Sequence, residues 1–171
     1  MIMIKKICII ACCAMLLNLW ACRDENLIKT SYEAADELIA QAKPPLIPQQ
    51  SILIASFVNI DNLDESSTFG RTIAEYLGSR LTHHGYKVVE MKLRKSIFMK
   101  KDAGEFILSR DLQEISTRHN AQAIVAGTYA VGKNVVYVSA RIVQLSDSMI
   151  LSSYAYKLSL GKDTKTMLGM Y

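Results

Sequence analysis

Past residue 22 the chain contains no cysteine: Cys8, Cys12, Cys13 and Cys22 all lie at its start. The body therefore has no disulfide to hold it together and no thiol for nucleophilic catalysis or zinc binding, so it must stand on its core. Proline is scarce too, confined to Pro44, Pro45 and Pro48 in "KPPLIP", where it stops any preceding helix. No Gly-x-Ser-x-Gly elbow is present, which removes the usual setting of a hydrolase serine. "GTYAVGKN", residues 127–134, has the glycine and lysine spacing of a phosphate loop. It carries Asn134 where Ser or Thr would bind magnesium, and it lies between two strands, so it reads as a hairpin turn whose glycine supplies a positive φ. Only three histidines occur, His83, His84 and His119. Adjacent residues cannot share one helical face, so a helix-end pair beside the C-terminal dipole explains the first two better than a metal site does. Asp61, Asp64 and Glu65 follow the first strand, where an open α/β sheet often places a site; loop solubility and helix N-terminal charge are the simpler account. No motif requires a cofactor or a metal. Basic residues are not massed either: "KLRKSIFMKK", residues 92–101, reads as a solvated face, and nothing indicates nucleic acid.

What is present begins with the leader. Lys5 and Lys6 precede an apolar run from Ile7 to Trp20, followed by Ala21, Cys22 and the charged "RDEN". That is the layout of a secretory signal peptide, residues 1–21, and it is short for a membrane-spanning helix of about 20 residues. "Leu19-Trp20-Ala21-Cys22" resembles the lipobox of bacterial lipoproteins, with Trp20 departing from the usual small or aliphatic residue. "Ile9-Ile10-Ala11-Cys12" fits the same pattern but leaves too short a signal core. The expectation is lipidation at Cys22; an uncleaved signal anchor is the alternative. Arg23 rather than Asp after the cysteine favours the outer membrane by the same resemblance. Without the leader the balance is 18 basic residues (20 less Lys5 and Lys6) against 16 acidic, close to neutral.

Residues 22–50 then read as a lipidated N-terminus, an amphipathic helix with Ile28, Tyr32, Ala35, Leu38 or Ile39, and Ala42 at helical spacing, and the proline linker. The helix either packs on the domain or spaces it from the membrane. Residues 51–160 read as one α/β domain. "SILIASFVNI" is a strand apolar on both faces and therefore central. "DNLDESS" breaks it. "STFGRTIAEYLGSRLTHHG" is a helix with Phe69, Ile73, Tyr76, Leu77 and Leu81 on one stripe and Gly85 at its C-terminal cap. "YKVVEMK" is the next strand, joined by a parallel crossover. Residues 93–108 are ambiguous between helix and loop. A helix capped by Ser109, with Leu112, Ile115 and His119 on one side, leads into "AQAIVAGTYAV", "VVYVSARIVQL" and "MILSSYAYKLSL", an antiparallel meander. Residues 161–171 read as a tail. The fold class is α/β: a mixed sheet of about five strands with two or three helices, a strand-helix-strand unit first and the meander last.

"SFVNIDNL", "STFGR", "VAGTY" and "VSARIVQ", spread over residues 51–158, resemble the FlgO family of outer-membrane lipoproteins. The resemblance implies a fold like the N-terminal domain of TolB-like proteins, with helices on one side of the sheet. It further implies a non-enzymatic role in flagellar assembly or stability and motility, with flagellar outer-membrane or rod-associated ring proteins as partners, and a homo-oligomeric ring fits such a role. LpoB-type activators of peptidoglycan synthases and CsgG-type secretion lipoproteins share a similar core, so an LpoB-like regulator of a synthase is the alternative. The candidate docking surfaces are the outer edge of the meander and its mixed face, Tyr137, Ser139 and Arg141, because an unpaired edge invites strand addition.

Overall fold

A computed structural model describes residues 24–91 and 110–170. The signal peptide, Cys22, the ambiguous segment 93–108 and the Ser109 cap lie outside the described residues. Asn26 opens the first helix, α1 (Leu27–Gln41), its side chain accepting from the Lys29 N–H at 3.0 Å. Ala35, Leu38 and Ala42 are buried as expected, but Ile28 stays exposed and the buried stripe of α1 extends instead to Ser31 and Ala34. Small residues at 31, 34 and 35 let the helix approach closely. It therefore packs on the domain and does not act as a spacer.

Strand β1 (Ser51–Ala55) is buried at every position because it lies between two parallel neighbours, β4 (Lys87–Met91) and β5 (Ala121–Val131). The strand is shorter than its sequence suggests. At Phe57 the backbone N–H leaves the sheet and donates to the Gly70 carbonyl at 3.1 Å, and pairing resumes as β2 (Val58–Asn59). "DNLDESS", expected as a break, instead turns into β3 (Asn62–Ser66), antiparallel to β2, and this hairpin pairs with the outer half of β5. The crossover from β1 to β4 is α2 (Thr68–His83), which buries Phe69, Ile73, Leu77 and Leu81 and ends with Gly85 at φ 84°. The meander is β5, β6 (Val135–Gln144) and β7 (Ile150–Ser159), antiparallel throughout with one bulge between Ile142 and Val143. The main sheet thus runs β4, β1, β5, β6, β7, with β2 and β3 beside it. At the β5–β6 turn Gly132 takes no positive φ, contrary to expectation; what favours glycine there is the Val135 carbonyl, 3.0 Å from where a Cβ would stand.

Helices cover both faces. One core gathers Leu38, Ile52, Ile54, Phe57, Phe69 and Leu77 beneath α1 and α2. A second gathers Leu53, Ala55, Ile124 and Leu112, the last from α3 (Arg110–His119). The one-sided arrangement implied by the resemblance is corrected by α3: alternate residues of β1 are apolar on both faces, so each face needs a cover. Beyond β7, where a tail was expected, Lys162–Met167 forms a short helix, α4.

The quoted sequence motifs meet at one place. The Phe57 ring lies over Gly127, and a Cβ at Gly127 would overlap it; a Cβ at Gly70 would overlap the Phe57 carbonyl. Ser67, the cap of α2, accepts from the Gly70 N–H at 3.0 Å and from the Tyr129 hydroxyl at 2.7 Å. Phe69 meets the Tyr129 ring edge-on at 5.3 Å. Gly70→Ala should lower unfolding free energy by about 2–4 kcal/mol, since the obstacle is backbone and cannot yield. Tyr129→Phe should cost only about 1 kcal/mol. Urea denaturation of the two variants checks both values and their order.

Candidate functional site

The alternation of β6 places Tyr137, Ser139 and Arg141 on one face, the face opposite α1 and α2. Across the ladders they stand beside Ala130, Thr128 and Ala126 of β5 and Lys157, Ala155 and Ser153 of β7. Tyr137 is 56% exposed; Ser139 and Arg141 are half-buried. The sheet thus brings the three together in a row of polar and small side chains. Val136, Val138, Ala140 and Ile142 of the same strand are buried in the core beneath α1 and α2. Among the described residues strand β7 pairs only with β6, so its other side is the outer edge of the meander there. Near one end of that edge the Leu151 carbonyl accepts from the Lys43 N–H at 3.1 Å.

His83 and His84 take part in a contact between α1 and α2. Asp36 of α1 accepts a two-pronged hydrogen bond from Arg80 of α2, at 2.8 and 2.9 Å, and a third from His84 Nε2 at 2.6 Å. The Tyr32 ring lies 5.5 Å from the same guanidinium, meets His83 edge-on at 5.7 Å, and its hydroxyl is 3.1 Å from Ser79 Oγ. The Arg80 hydrogen bonds, and then that of His84, hold the Asp36 carboxyl below the usual carboxylate range despite some desolvation. His119 is exposed at the end of α3. Among the described residues no three His, Cys, Asp or Glu side chains converge as metal ligands. Asp61 sits exposed at the tip of the β2–β3 hairpin, its N–H bonded to Asn59 Oδ1, while Asp64 and Glu65 fall within β3. They are thus part of a paired ribbon.

Sequence reasoning missed the role of Asp24. Helix α4 opens on Gly161, which has no side chain to cap it. Asp24 supplies the cap from the other end of the chain. Its carboxylate accepts from the Asp163 N–H at 3.0 Å, the Thr164 N–H at 3.2 Å and the Thr164 hydroxyl at 2.8 Å. A Cβ on Gly161 would overlap that carboxylate. Burial pushes the Asp24 carboxyl up, but the hydrogen bonds from Asp163 and Thr164 outweigh it and leave the group below its ordinary value. Glu25 accepts from the Ser159 hydroxyl at 3.2 Å, and Asn26 caps α1. The chain is docked from the first described residue onward. An acid opposite Gly-Lys-Asp-Thr was the only signal, and 137 positions separate Asp24 from Gly161.

The model of one protein family, the FlgO protein, matches residues 32–163. The chain belongs to the FlgO family. A search of the curated proteins returns no match. Among solved structures, the LpoB C-terminal domain of Salmonella enterica is similar at TM-score 0.53 and 11% identity, covering 78% of this chain and 98% of that one. The PelC dodecamer of Paraburkholderia phytofirmans gives TM-score 0.45 and 15% identity, with 67% and 74% covered. A lipoprotein of Neisseria meningitidis gives 0.42 and 16%, with 70% and 89% covered. Only the first of these likenesses carries weight, and it shows the fold. In this FlgO domain Phe57, Ser67, Gly70, Gly127 and Tyr129, all within the motifs of the resemblance, form a packing junction. No helix among the described residues is long and apolar enough to cross a membrane.

Two measurements test this geometry. Asp36→Asn should lower the thermal midpoint at pH 7 by a few degrees. A carboxyl depressed by folding stabilises above its unfolded pKa of about 4 and loses that contribution as pH falls through the lowered folded value, so the gap between variant and wild type should narrow as the solution is acidified below about pH 4. Asp24→Ala should cost about 1 kcal/mol and speed amide exchange at Asp163 and Thr164 while leaving β1 unchanged.

Proposed function

We propose that this FlgO protein is a non-enzymatic outer-membrane lipoprotein, anchored through Cys22, that supports flagellar assembly or stability and motility by docking on flagellar outer-membrane or rod-associated ring proteins. Family membership over residues 32–163 carries the reading. The lipobox-like "LWAC", the neutral mature charge and the packing role of the motif residues support it. The docking surface is the Tyr137, Ser139 and Arg141 row together with the free side of β7, where a partner strand could add to the sheet. Assembly into a homo-oligomeric ring belongs to the same reading, because proteins encircling a rod must match its symmetry.

The alternative, regulation of a peptidoglycan synthase, requires reach across the envelope. Residues 24–41 are docked or helical against the domain, and the Lys43 N–H is already bonded to β7, so little chain is left to extend. That favours an action close to the membrane.

Deleting the gene and complementing it with wild type or Cys22→Ser tests the proposal. Weak swimming with fragile or missing filaments, restored only by the cysteine form, is the expected result. Full motility without the gene would refute the flagellar role. Within the docking surface, Tyr137→Ala, at the exposed end of the row, should impair swimming at unchanged protein level and thermal midpoint.

A further inference from the structure

We propose that the end of the domain holding Asp24 rests directly on the lipid surface, with Ile28, Ile60 and Met170 dipping among the headgroups and Lys133, Lys162 and Lys165 facing their phosphates. This rests on Cys22 being the lipidated residue. Two peptide units separate Cys22 from Asp24 and span at most about 7 Å, whatever their conformation. Asp24 is itself tied into α4, Glu25 to β7, and Asn26 to the start of α1. A lipid at Cys22 therefore meets the folded domain with almost no slack, and the domain must present a fixed end to the bilayer.

The topology decides which side chains that end carries. The Leu160 N–H donates to the Asn134 carbonyl at 2.9 Å, which joins the β5–β6 turn, with exposed Lys133, to the start of α4. Helix α4 exposes Lys162 and Lys165, and the Met170 N–H folds back on the Lys165 carbonyl at 2.9 Å. Ile28 lies in the first turn of α1, just past Asp24. The Ile60 N–H donates to the Tyr129 carbonyl at 2.9 Å, which sets the β2–β3 tip beside the same end of β5. All three apolar side chains are exposed on the domain by itself. Among the described residues the exposed acids here are Glu25, Asp61 and Asp163, against exposed Lys29, Lys133, Lys162 and Lys165, and Glu25 is taken up by the Ser159 hydroxyl. Scattered apolar side chains ringed by lysines, whose stems can lie along the interface while their amines reach phosphate, are the composition of a surface that rests on an anionic bilayer. Exposed Ile47, Met149 and Ile150 sit at the opposite end of the sheet, where Ile47 bonds Gln122 at the start of β5 and the Gln144 N–H donates to the Met149 carbonyl, while exposed Tyr137 lies on the mixed face of β6. Held this way, that end points away from the membrane.

The single tryptophan, Trp20, is in the leader, so one introduced tryptophan reports alone in the mature protein. Full-length chains carrying Ile60→Trp, Met170→Trp or Met149→Trp would be purified from membranes and reconstituted into phosphatidylethanolamine and phosphatidylglycerol vesicles with brominated acyl chains. Mass spectrometry of Cys22 comes first: an unmodified cysteine would refute the anchor, and this orientation with it. With the lipid in place, emission from the first two variants should fall roughly two-fold while Met149→Trp is unaffected. Equal quenching at all three positions, or strongest quenching at 149, would overturn the orientation and leave the anchor standing. Reversing Lys133, Lys162 and Lys165 to Glu in the Met170→Trp protein should relieve most of its quenching; unchanged quenching would overturn the part assigned to the lysines.

Discussion

The seating of Phe57 between two glycines is the contact on which the rest of the domain depends. Where β1 leaves the sheet, the Phe57 ring drops over Gly127 of β5 and its backbone bonds with Gly70, the third residue of α2. Three elements are thereby fixed with one side chain: the end of the central strand, the start of the crossover helix, and the strand that continues into the meander. A side chain on either glycine would push these apart, and interiors packed like crystals do not absorb such a change. Ser67 and Tyr129 then add a polar closure to an apolar seat, the cap hydroxyl accepting from the helix N–H and from the tyrosine at once. The β2–β3 hairpin follows from the same contact, since the chain re-enters the sheet displaced by Phe57 and can pair only with the outer half of β5.

The second organising feature is that the beginning and end of the chain are one structural unit. Asp24 caps a helix that starts at Lys162, and α1 lies across β7 with small residues inward. The Asp36, Arg80 and His84 cluster clamps α1 onto α2 on its other side. On the proposed anchor at Cys22, this arrangement would make the attachment oriented rather than flexible and hold the long meander, with its mixed face, at a fixed height above the membrane.

Much of the architecture was legible because strand and helix periodicity are local properties. The buried run "SILIA", the stripe of Phe69, Ile73, Leu77 and Leu81, the cap at Gly85 and the alternation of Val136, Val138, Ala140 and Ile142 all appear as expected. The FlgO motifs were legible as a resemblance, yet their meaning was not, because residues 57, 70, 127 and 129 meet only once the sheet has formed. The same reason hid the β2–β3 hairpin, which the polar "DNLDESS" does not announce, and the side of the sheet on which α3 settles. The candidate face Tyr137, Ser139 and Arg141 was readable from period two alone; that it lies opposite α1 and α2 required the pairing register.

The amino-acid sequence by itself determined the main helices and strands, the central position of β1, the antiparallel meander and membership of the FlgO family, since each rests on patterns within a short window of chain. Tertiary structure decided which glycines had to be glycine, why His84 sits opposite an aspartate, and how a carboxylate at residue 24 comes to cap a helix near the other end of the chain. Those outcomes depend on groups tens to more than a hundred positions apart, and no local propensity encodes a meeting that only the closed sheet makes possible.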